Sequence, residues 1–274
     1  MKKLLFSISA AMIFFLANVV PSHAAETGVI ENGVLKNNRV LIPIRSVSEN
    51  MGIDVKWNQS QKTAQLIKGE NVITLAVQFS RALVNQDRVD FDTPVELIHN
   101  TTYVPLRFVS QTMGADVKWD QKVKEATVIL DGKQVVVKLM EPKYQVPTNQ
   151  RLSEARVARL SEKLNEASDL SKVKQVRTYF KPFFTDRLIQ QIIQKEGLSY
   201  KDMKFDMNTT TVNYTSETKA TFIQSFIPGN ILTGELHYVF DRELHVIFAD
   251  GVWKVDKVND YWRQIPNMGL EPDF

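Results

Sequence analysis

The chain has 274 residues and no cysteine. This excludes disulfide bonds, a thiolate nucleophile and a metal site built on thiolates. Histidine is also scarce, with 4 in the whole chain, and the sequence has no Gly-x-Ser-x-Gly, phosphate-loop or zinc-protease motif. No second long apolar run follows the first 24 residues, so we predict no membrane span in the mature chain. Hydrophobic cores must therefore hold the fold together.

Neither sign of charge dominates the composition. Lysine and arginine number 34 against 31 acidic residues, a formal net charge of +3. Removal of Lys2 and Lys3 with a signal peptide leaves 32 basic residues against the same 31 acidic ones. Such a nearly neutral surface has no field that attracts nucleic acid or an anionic membrane. We therefore expect no nucleic-acid partner.

Residues 1–24 have the pattern of a secretory signal peptide. Lys2 and Lys3 precede an apolar core at 4–20, and Ser22 and Ala24 are the small residues of a cleavage site. A retained membrane anchor is the alternative, although the apolar run is short for a full span. No cysteine follows the site, which excludes a lipoprotein. We expect a secreted or extracytoplasmic protein, with association to the cell wall left open.

One stretch of the sequence, 41–57, occurs again at 103–119 with an offset of 62 residues. Between 43–64 and 105–126, 13 of 22 positions are identical, which predicts a tandem duplication. We predict structural roles for the shared motif residues, which are Pro43, Arg45, Gly52, Asp54 and Trp57 in the first copy and Pro105, Arg107, Gly114, Asp116 and Trp119 in the second.

The pattern of each copy predicts a helix packed on an antiparallel sheet. The proline ends a short apolar strand and suits the first turn of a helix. The glycine suits a left-handed helix end, and the alternation up to the tryptophan predicts a half-buried strand. One copy alone would have a small core, so we expect one fused domain. The segment 78–95 predicts a hairpin that has no counterpart before the first copy, which is then incomplete or completed by strands of the second.

Two kinds of side chain in the copies allow a structural or a binding role. Arg45 and Arg107 lie near a helix N-terminus, where a positive charge is disfavoured. We expect them to pair with Asp54 and Asp116, and the alternative is an anionic ligand such as a cell-wall polymer. The two motif tryptophans could stack on sugars, but their alternation with valine favours core packing.

The motif spacing, twice over, resembles the copper amine oxidase N-terminal domain, also called the stalk domain. The run Tyr103-Val104-Pro105-Leu106-Arg107-Phe108-Val109-Ser110 is an especially close match. The resemblance covers roughly 34–139. It implies a non-catalytic extracellular appendage, found in many bacterial surface proteins that carry no oxidase.

The resemblance does not extend to oxidase chemistry. Copper amine oxidases need three histidine ligands to copper and a tyrosine in an Asn-Tyr-Asp/Glu context. After signal removal only His99, His237 and His245 remain, and Asn213-Tyr214-Thr215 lacks the acidic residue. We therefore expect no enzyme of that class and no cofactor.

The second half of the chain changes pattern. Two prolines in 141–150 predict a stiff linker between a stalk domain at 28–140 and a second domain at 151–274. We expect each domain to fold independently. Helices are predicted to start near Leu152, Asp169 and Thr185. Strands are predicted at 204–214, 220–227, 231–240, 244–248 and 252–258. Helices followed by an antiparallel sheet make an α+β domain.

The run Asp250-Gly251-Val252-Trp253-Lys254-Val255-Asp256-Lys257-Val258 is similar to the final hairpin of the cystatin-like cone folds, the nuclear-transport-factor-two-like superfamily. That resemblance implies helices packed in the concave face of a bent sheet. Such folds host enzymes, binding modules and spacers alike, so it does not decide function.

Two sets of residues in the second domain are candidates for a metal site and for an acid–base site. His237 and His245 flank a predicted turn at Asp241-Arg242. We expect both histidines to face solvent, and the alternative is a metal site that they share with Glu235 or Glu243. A concave pocket could use acid–base residues, of which the candidates are Tyr200, Asp206, Tyr214 and Asp250.

We thus predict an exported non-catalytic protein that acts through contact with an extracellular protein or a cell-wall polymer. The alternative is a small-molecule-binding or enzymatic second domain. A closed apolar pocket with a perturbed carboxylate would favour the alternative.

The signal peptide gives the first testable prediction. Mass spectrometry of the protein isolated from its native host should find the N-terminus at Ala25, because cleavage after Ala24 fits the small-residue rule. A membrane-bound protein that keeps Met1 would contradict export as a free chain.

Overall fold

The computed structural model describes residues 27–36, 39–140, 144–199, 203, 205, 212–228, 232–233 and 236–269. The predicted signal peptide lies outside these residues. Several sheets and a few short helices make up the chain, so the predicted α+β class is confirmed. Within the described part, no helix is both long and apolar enough to cross a membrane.

The described residues of the predicted first domain form twelve strands and two helices, and the predicted names first and second domain are kept below. The strands are β1 (Thr27–Lys36), β2 (Arg39–Pro43), β3 (Asp54–Asn58), β4 (Thr63–Lys68), β5 (Asn71–Ala76), β6 (Arg81–Val84), β7 (Asp87–Asp90), β8 (Glu96–Ile98), β9 (Thr101–Pro105), β10 (Asp116–Asp120), β11 (Glu125–Leu130) and β12 (Lys133–Leu139). The helices are α1 (Ile44–Asn50) and α2 (Leu106–Met113). The elements β2, α1, β3, β4 and β5 each begin 62 residues before β9, α2, β10, β11 and β12.

The two copies contribute to two sheets. One sheet has the order β3-β4-β5-β6-β7, so the predicted hairpin β6–β7 extends the first copy. The other has the order β10-β11-β12-β1-β2-β9-β8. Strand β1 pairs in parallel with β12, through Thr27 with Gln134, and then turns antiparallel to β2. The strand before the first copy therefore completes the sheet of the second.

The helices start and stop at the duplicated residues. Pro43 and Pro105 are extended and stand one residue before the helix, at the N-cap position rather than inside the first turn. Gly52 and Gly114 have φ angles of 74° and 67°. This left-handed conformation is strained for residues with a Cβ, which explains glycine at both places.

The second domain places helices before its sheet. The helices are α3 (Glu154–Glu166), α4 (Val176–Phe180) and α5 (Asp186–Gln194), and the strands are β13 (Asn213–Ser216), β14 (Lys219–Phe226), β15 (Leu232–Thr233), β16 (Leu236–Ala249) and β17 (Val252–Pro266). Ser153 caps α3 and Thr185 caps α5, each accepting a backbone N–H. The helix predicted from Asp169 is instead a short 3-10 turn, Leu170–Lys172, followed by α4. Most of the predicted strand 204–214 lies outside the described residues.

The predicted turn at Asp241-Arg242 is wrong. Strand β16 runs unbroken through both residues and pairs along its whole length with β17, which continues to Pro266. Neither Asp241 nor Arg242 has solvent-exposed surface. Adjacent residues of a strand point to opposite faces of the sheet, so both faces of β16 are covered here.

Different layers cover the two faces. The face that carries Leu244 and Val246 packs against α3, α4 and α5 and forms the core of the second domain. The face that carries Val239 packs against the first domain in a separate cluster. The cluster consists of Ala76, Phe79, Ile227, Val239, Ile265 and Met268.

A buried ion pair lies beside this cluster. Arg263 donates from Nε to Asp241 Oδ2 at 2.7 Å, and neither side chain has exposed surface. Arg263 also donates to the carbonyl oxygens of Gln61 and Val77 in the first domain, at 3.0 and 2.9 Å. Ser225 donates to the other oxygen of Asp241 at 2.7 Å. The ion pair therefore links the sheet of the second domain to the backbone of the first.

The described part of the predicted linker, 144–150, is anchored to the second domain. Val146 is buried, and the carbonyl of Gln150 accepts from the Trp253 indole at 2.7 Å. The next residue but one, Leu152, donates its backbone N–H to the Tyr214 hydroxyl at 2.8 Å. The segment is thus held at several points.

A cut in the linker gives the second prediction. Proteolysis between 141 and 151 should leave two fragments that still co-elute in size-exclusion chromatography, because the interface cluster and the ion pair survive the cut. Arg263→Ala should release the fragments and lower the free energy of unfolding of the uncut protein by about 3–5 kcal/mol, since it leaves Asp241 buried without its cation.

Arg39→Ala is the matched control for this experiment. Arg39 pairs with Asp92 at the surface at 2.8 Å, and exposed pairs contribute about 0–1 kcal/mol. Fragments of the parent protein that separate at micromolar concentration would contradict a fixed arrangement of the domains.

Candidate interaction surface

A cleft of about 440 Å³ opens where the first domain, the linker and the second domain meet. We refer to it as the interdomain cleft. Its described lining residues are Val34, Leu35, Lys36, Ile98, His99, Lys124, Leu139, Met140, Tyr144, Val146, Arg151, Val212, Asn213 and Tyr214. Leu35 and Met140 are 52% and 37% exposed, which is high for large apolar side chains. The volume falls within the range of pockets that hold ligands.

Two sheet edges meet in this cleft. β8 is the outer strand of the seven-stranded sheet and β13 is the outer strand of the second domain's sheet. Asn213 donates its side-chain amide to the carbonyl of Leu97 at 3.2 Å, and His99 Nε2 lies 3.3 Å from the carbonyl oxygen of Tyr214. Each edge thus uses a side chain to bind a carbonyl of the other, which covers part of both exposed edges.

Cations surround the apolar part of the cleft. Lys36, Lys124 and Arg151 line it, and the described lining includes no aspartate or glutamate. Lys36 is paired with the buried Glu96. Arg151 donates from Nε to the carbonyl of Val146 at 3.2 Å. Lys124 lies exposed in the turn between β10 and β11. Lys124 and Arg151 therefore give the cleft a positive rim.

The predicted partners of the motif arginines are wrong. Arg45 forms its ion pair with Glu49, one helical turn away, at 3.7 Å, and not with Asp54. Arg107 pairs with Asp92 at 3.6 Å, and Asp116 pairs with Lys118 at 3.8 Å. Both arginines are more than half exposed. Both arginine side chains lie at the surface. Their ion-pair partners are Glu49 and Asp92, which the sequence spacing of the motif did not identify.

The motif tryptophans lie at the margin of the core. Trp57 and Trp119 are half-buried and pack against the first domain's cluster from β3 and β10, which are the outer strands of their sheets. Each indole donates to the glutamine two residues later, at 2.7 Å to Gln59 and 2.8 Å to Gln121. The two copies therefore share a Trp-x-Gln contact whose role the sequence alone did not reveal.

The histidines do not meet at a metal site. His237 and His245 stand eight residues apart on the one strand β16, a separation of about 26 Å at the usual rise per residue. His237 is buried, contrary to the prediction that it faces solvent, and its Nε2 lies 2.7 Å from Asn267 Oδ1. Glu235 lies outside the described residues. No group of metal-binding side chains occurs within the described residues.

Within the described residues, a buried arginine lies between the helices and the sheet of the second domain. Arg242 donates to Gln224, Asn165 and Ser161, with the closest contacts at 2.6, 2.9 and 2.7 Å. Phe205 covers this arginine, with the guanidinium 3.9 Å from the ring centroid. These contacts join α3 to β14 and β16 inside the second domain.

Two of the candidate acid–base residues, Tyr214 and Asp250, are described by the structure, and they make separate contacts. Tyr200 and Asp206 lie outside the described residues. Burial raises the pKa of Tyr214, whose hydroxyl accepts from a backbone N–H. Asp250 is exposed in a turn, and its hydrogen bond with Lys254 lowers its pKa.

Sequence reasoning missed one perturbed carboxyl. Burial raises the pKa of Asp260 to about 6, although Arg242 and Lys195 oppose the shift. Asp260 stands opposite Arg242 across β16 and β17. The residue as a whole remains exposed on the outer strand. It therefore does not sit in the closed apolar pocket that an enzymatic second domain would require.

The tryptophans give the third prediction. Trp119→Ala in the mature chain should lower the free energy of unfolding by about 2 kcal/mol, less than the roughly 3–5 kcal/mol of a fully buried tryptophan, because half of the side chain is already near solvent. Thermal unfolding should drop by about 4–8 °C for a protein of this size.

Val123→Ala is the control for this substitution. Val123 lies in the next turn and is 59% exposed, so its removal should change stability by less than about 0.5 kcal/mol. If Trp119→Ala melted like the parent and lost binding to cell-wall glycan, the tryptophan would be a binding residue and not part of the scaffold.

Comparison with known proteins describes the first domain. Residues 29–130 match the family model of the copper amine oxidase N-terminal domain. The matched residues run from β1 to β11 and include both copies of the motif. The second domain lies outside this match. The match is to the non-catalytic N-terminal domain of those enzymes.

Part of the chain is similar in sequence to a curated protein. A protein described as "Protease inhibitor", from Brevibacillus choshinensis, is 33% identical over 107 residues. The alignment covers 36% of this chain and 30% of the relative. The chain thus spans under a third of the curated relative that it matches.

Proposed function

We propose that this chain is an exported, non-catalytic protein that acts by binding another protein. The observation that carries the proposal is the interdomain cleft, which places exposed apolar side chains beside cations at the junction of two locked domains. Apolar area rimmed by polar groups is typical of protein-binding surfaces. The predicted signal peptide supports export.

The two comparisons support the same proposal. The first domain matches a domain family without catalytic residues, and the relative's name denotes a protein that acts on another protein. We infer that the first domain is a tandem of two stalk-type repeats, since equivalent elements recur at the offset of the duplicated sequence. We also infer that the second domain has the cone type of fold, because its helices pack on one face of an antiparallel sheet.

Contact with a protein is favoured over contact with a cell-wall polymer. Sugar binding would rest on exposed aromatic rings. The motif tryptophans are half-buried and bound to glutamines, and the exposed rings of Tyr179 and Trp262 lie outside the described lining of the cleft. The cleft instead offers aliphatic side chains, which suit side chains of a protein. An extracellular protease is the partner class that the relative's name suggests for a first trial.

Affinity capture tests the proposed function. Immobilised mature protein should retain a secreted protein from the native host's culture medium. The retained protein should be lost with Leu35→Glu, which puts a charge on the cleft floor, and kept with Val252→Glu. Val252 is also an exposed valine at 39%, but it lies at the start of β17, away from the cleft lining.

Isolated cell wall and a secreted-protease assay complete this experiment. Retention of wall polymer alone, or capture that both glutamate variants keep, would contradict protein binding at the cleft. Slower proteolysis in the presence of the parent protein, but not of Leu35→Glu, would identify the partner as a protease.

A further inference from the structure

We propose that the interdomain cleft binds an extended segment of the partner protein that carries aromatic and acidic side chains. This inference rests on the proposed function, because it names the chemistry of the partner at the same site. The argument comes from an internal comparison. In the first copy of the duplicated unit, a strand of this chain, β17, already covers the equivalent surface.

In the first copy, the turn between β3 and β4 is docked on the second domain. The carbonyl of Gln61 accepts from Arg263 at 3.0 Å. Lys62 hydrogen-bonds to the Tyr261 hydroxyl, and its Nζ lies 4.4 Å from the centroid of that ring. The carbonyl of Val77, at the end of β5, accepts from Arg263 at 2.9 Å. Three positions of this copy therefore contact one strand, β17.

The segment that occupies this first surface has a definite chemistry. Tyr261 supplies a ring and a hydroxyl to Lys62. The carboxylates of Asp241 and Glu243 oppose the effect of burial, which lowers the pKa of Lys62. The charge of Lys62 is thus matched by two carboxylates of β16 and its side chain contacts an aromatic ring of β17, while Arg263 of β17 binds backbone carbonyls of the first copy.

Among the residues that the structure describes, the second copy presents the same backbone without this cover. The equivalent positions, 62 residues later, are Val123, Lys124 and Leu139. Lys62 and Lys124 both have a left-handed φ, 50° and 55°. Their carbonyls accept from the equivalent residues Val77 and Leu139, at 3.0 and 3.3 Å.

Lys124 and Leu139 line the interdomain cleft. Lys124 is exposed, whereas Lys62 is half-buried. Val123, next to Lys124, is the most exposed large apolar side chain among the described residues, at 59%. The second copy therefore repeats a surface that in the first copy is covered by a strand.

The charge of the cleft agrees with this comparison. Lys124 and Arg151 form its positive rim, and Leu35 and Met140 give its apolar floor. Opposite charge on a partner raises the rate of association and selects among partners with similar apolar side chains. The acidic side chains of such a segment would pair with the cations of the rim, and its aromatic rings would pack on the apolar floor. A basic segment of the same apolar content would be repelled by the rim.

Two labelled peptides test the proposal on the intact mature chain. One octapeptide alternates tyrosine with glutamate, and the other alternates tyrosine with lysine. Fluorescence anisotropy should give the acidic peptide a Kd at least about tenfold lower than that of the basic peptide, a difference of about 1.4 kcal/mol. The preference should shrink in 0.5 M salt, as expected for exposed charges.

A pair of lysine variants locates the binding. Lys124→Glu should abolish the preference for the acidic peptide, because it reverses the charge at the rim. Lys122→Glu makes the same charge change two residues earlier in the same turn, outside the described cleft lining, and should change the Kd by less than about twofold.

The outcomes separate this inference from the proposed function. Equal binding of the two peptides, no binding up to millimolar concentration, or equal effects of the two lysine variants would overturn the inference. Affinity capture that still depends on Leu35 would then leave protein binding intact and assign it to another kind of segment. Loss of both results would overturn both proposals. Circular dichroism of each variant should match the parent, since both lysines are exposed.

Discussion

The ion pair between Asp241 and Arg263 is the contact on which the arrangement of the chain depends. Two charges without exposed surface are costly unless they are paired and their remaining hydrogen-bonding groups are satisfied. Arg263 meets this requirement only with carbonyls of the first domain, at Gln61 and Val77. The hydrogen-bond donors of Arg263, in the sheet of the second domain, are therefore satisfied only when the first domain is in place. The same contact therefore holds together the two domains whose residues line the interdomain cleft.

The sequence predicted individual helices and strands better than it predicted which parts of the chain pack on each face of a sheet. The duplication identified the helix and hairpin strands of both copies, and local capping rules placed the start of α5 at Thr185. The strand β16 was divided wrongly because Asp241-Arg242 has the composition of a polar turn. Its two charged residues are instead buried on opposite faces, one by helices and one by another domain. A single strand's pattern does not reveal that a second layer exists.

The candidate site was still harder to predict. The cleft combines the ends of β1, β8 and β12 with the linker and β13, which are far apart in sequence. Among the lining residues of the cleft, the sequence indicates only Tyr214 as a pocket residue. The motif residues, which the sequence marked most clearly, turned out to organise backbone: glycines with positive φ, prolines before helices and tryptophans at outer strands. The duplicated residues have structural roles. The two copies differ in which part of the chain covers them, and this difference points to the binding surface.

The parallel pairing of β1 with β12 has a consequence for how the chain matures. Thr27 finds its neighbour Gln134 only after more than a hundred intervening residues have been made, so this contact is among the most non-local in the first domain. Non-local pairings slow folding because the closure entropy must be overcome before the contact forms. A chain that emerges N-terminus first can pair the end of β1 with β2 at once, but the part of β1 that starts at Thr27 lacks its partner β12 until the second copy follows. In the export that we propose, this late pairing would delay completion of the first domain's sheet until most of that domain has crossed the membrane.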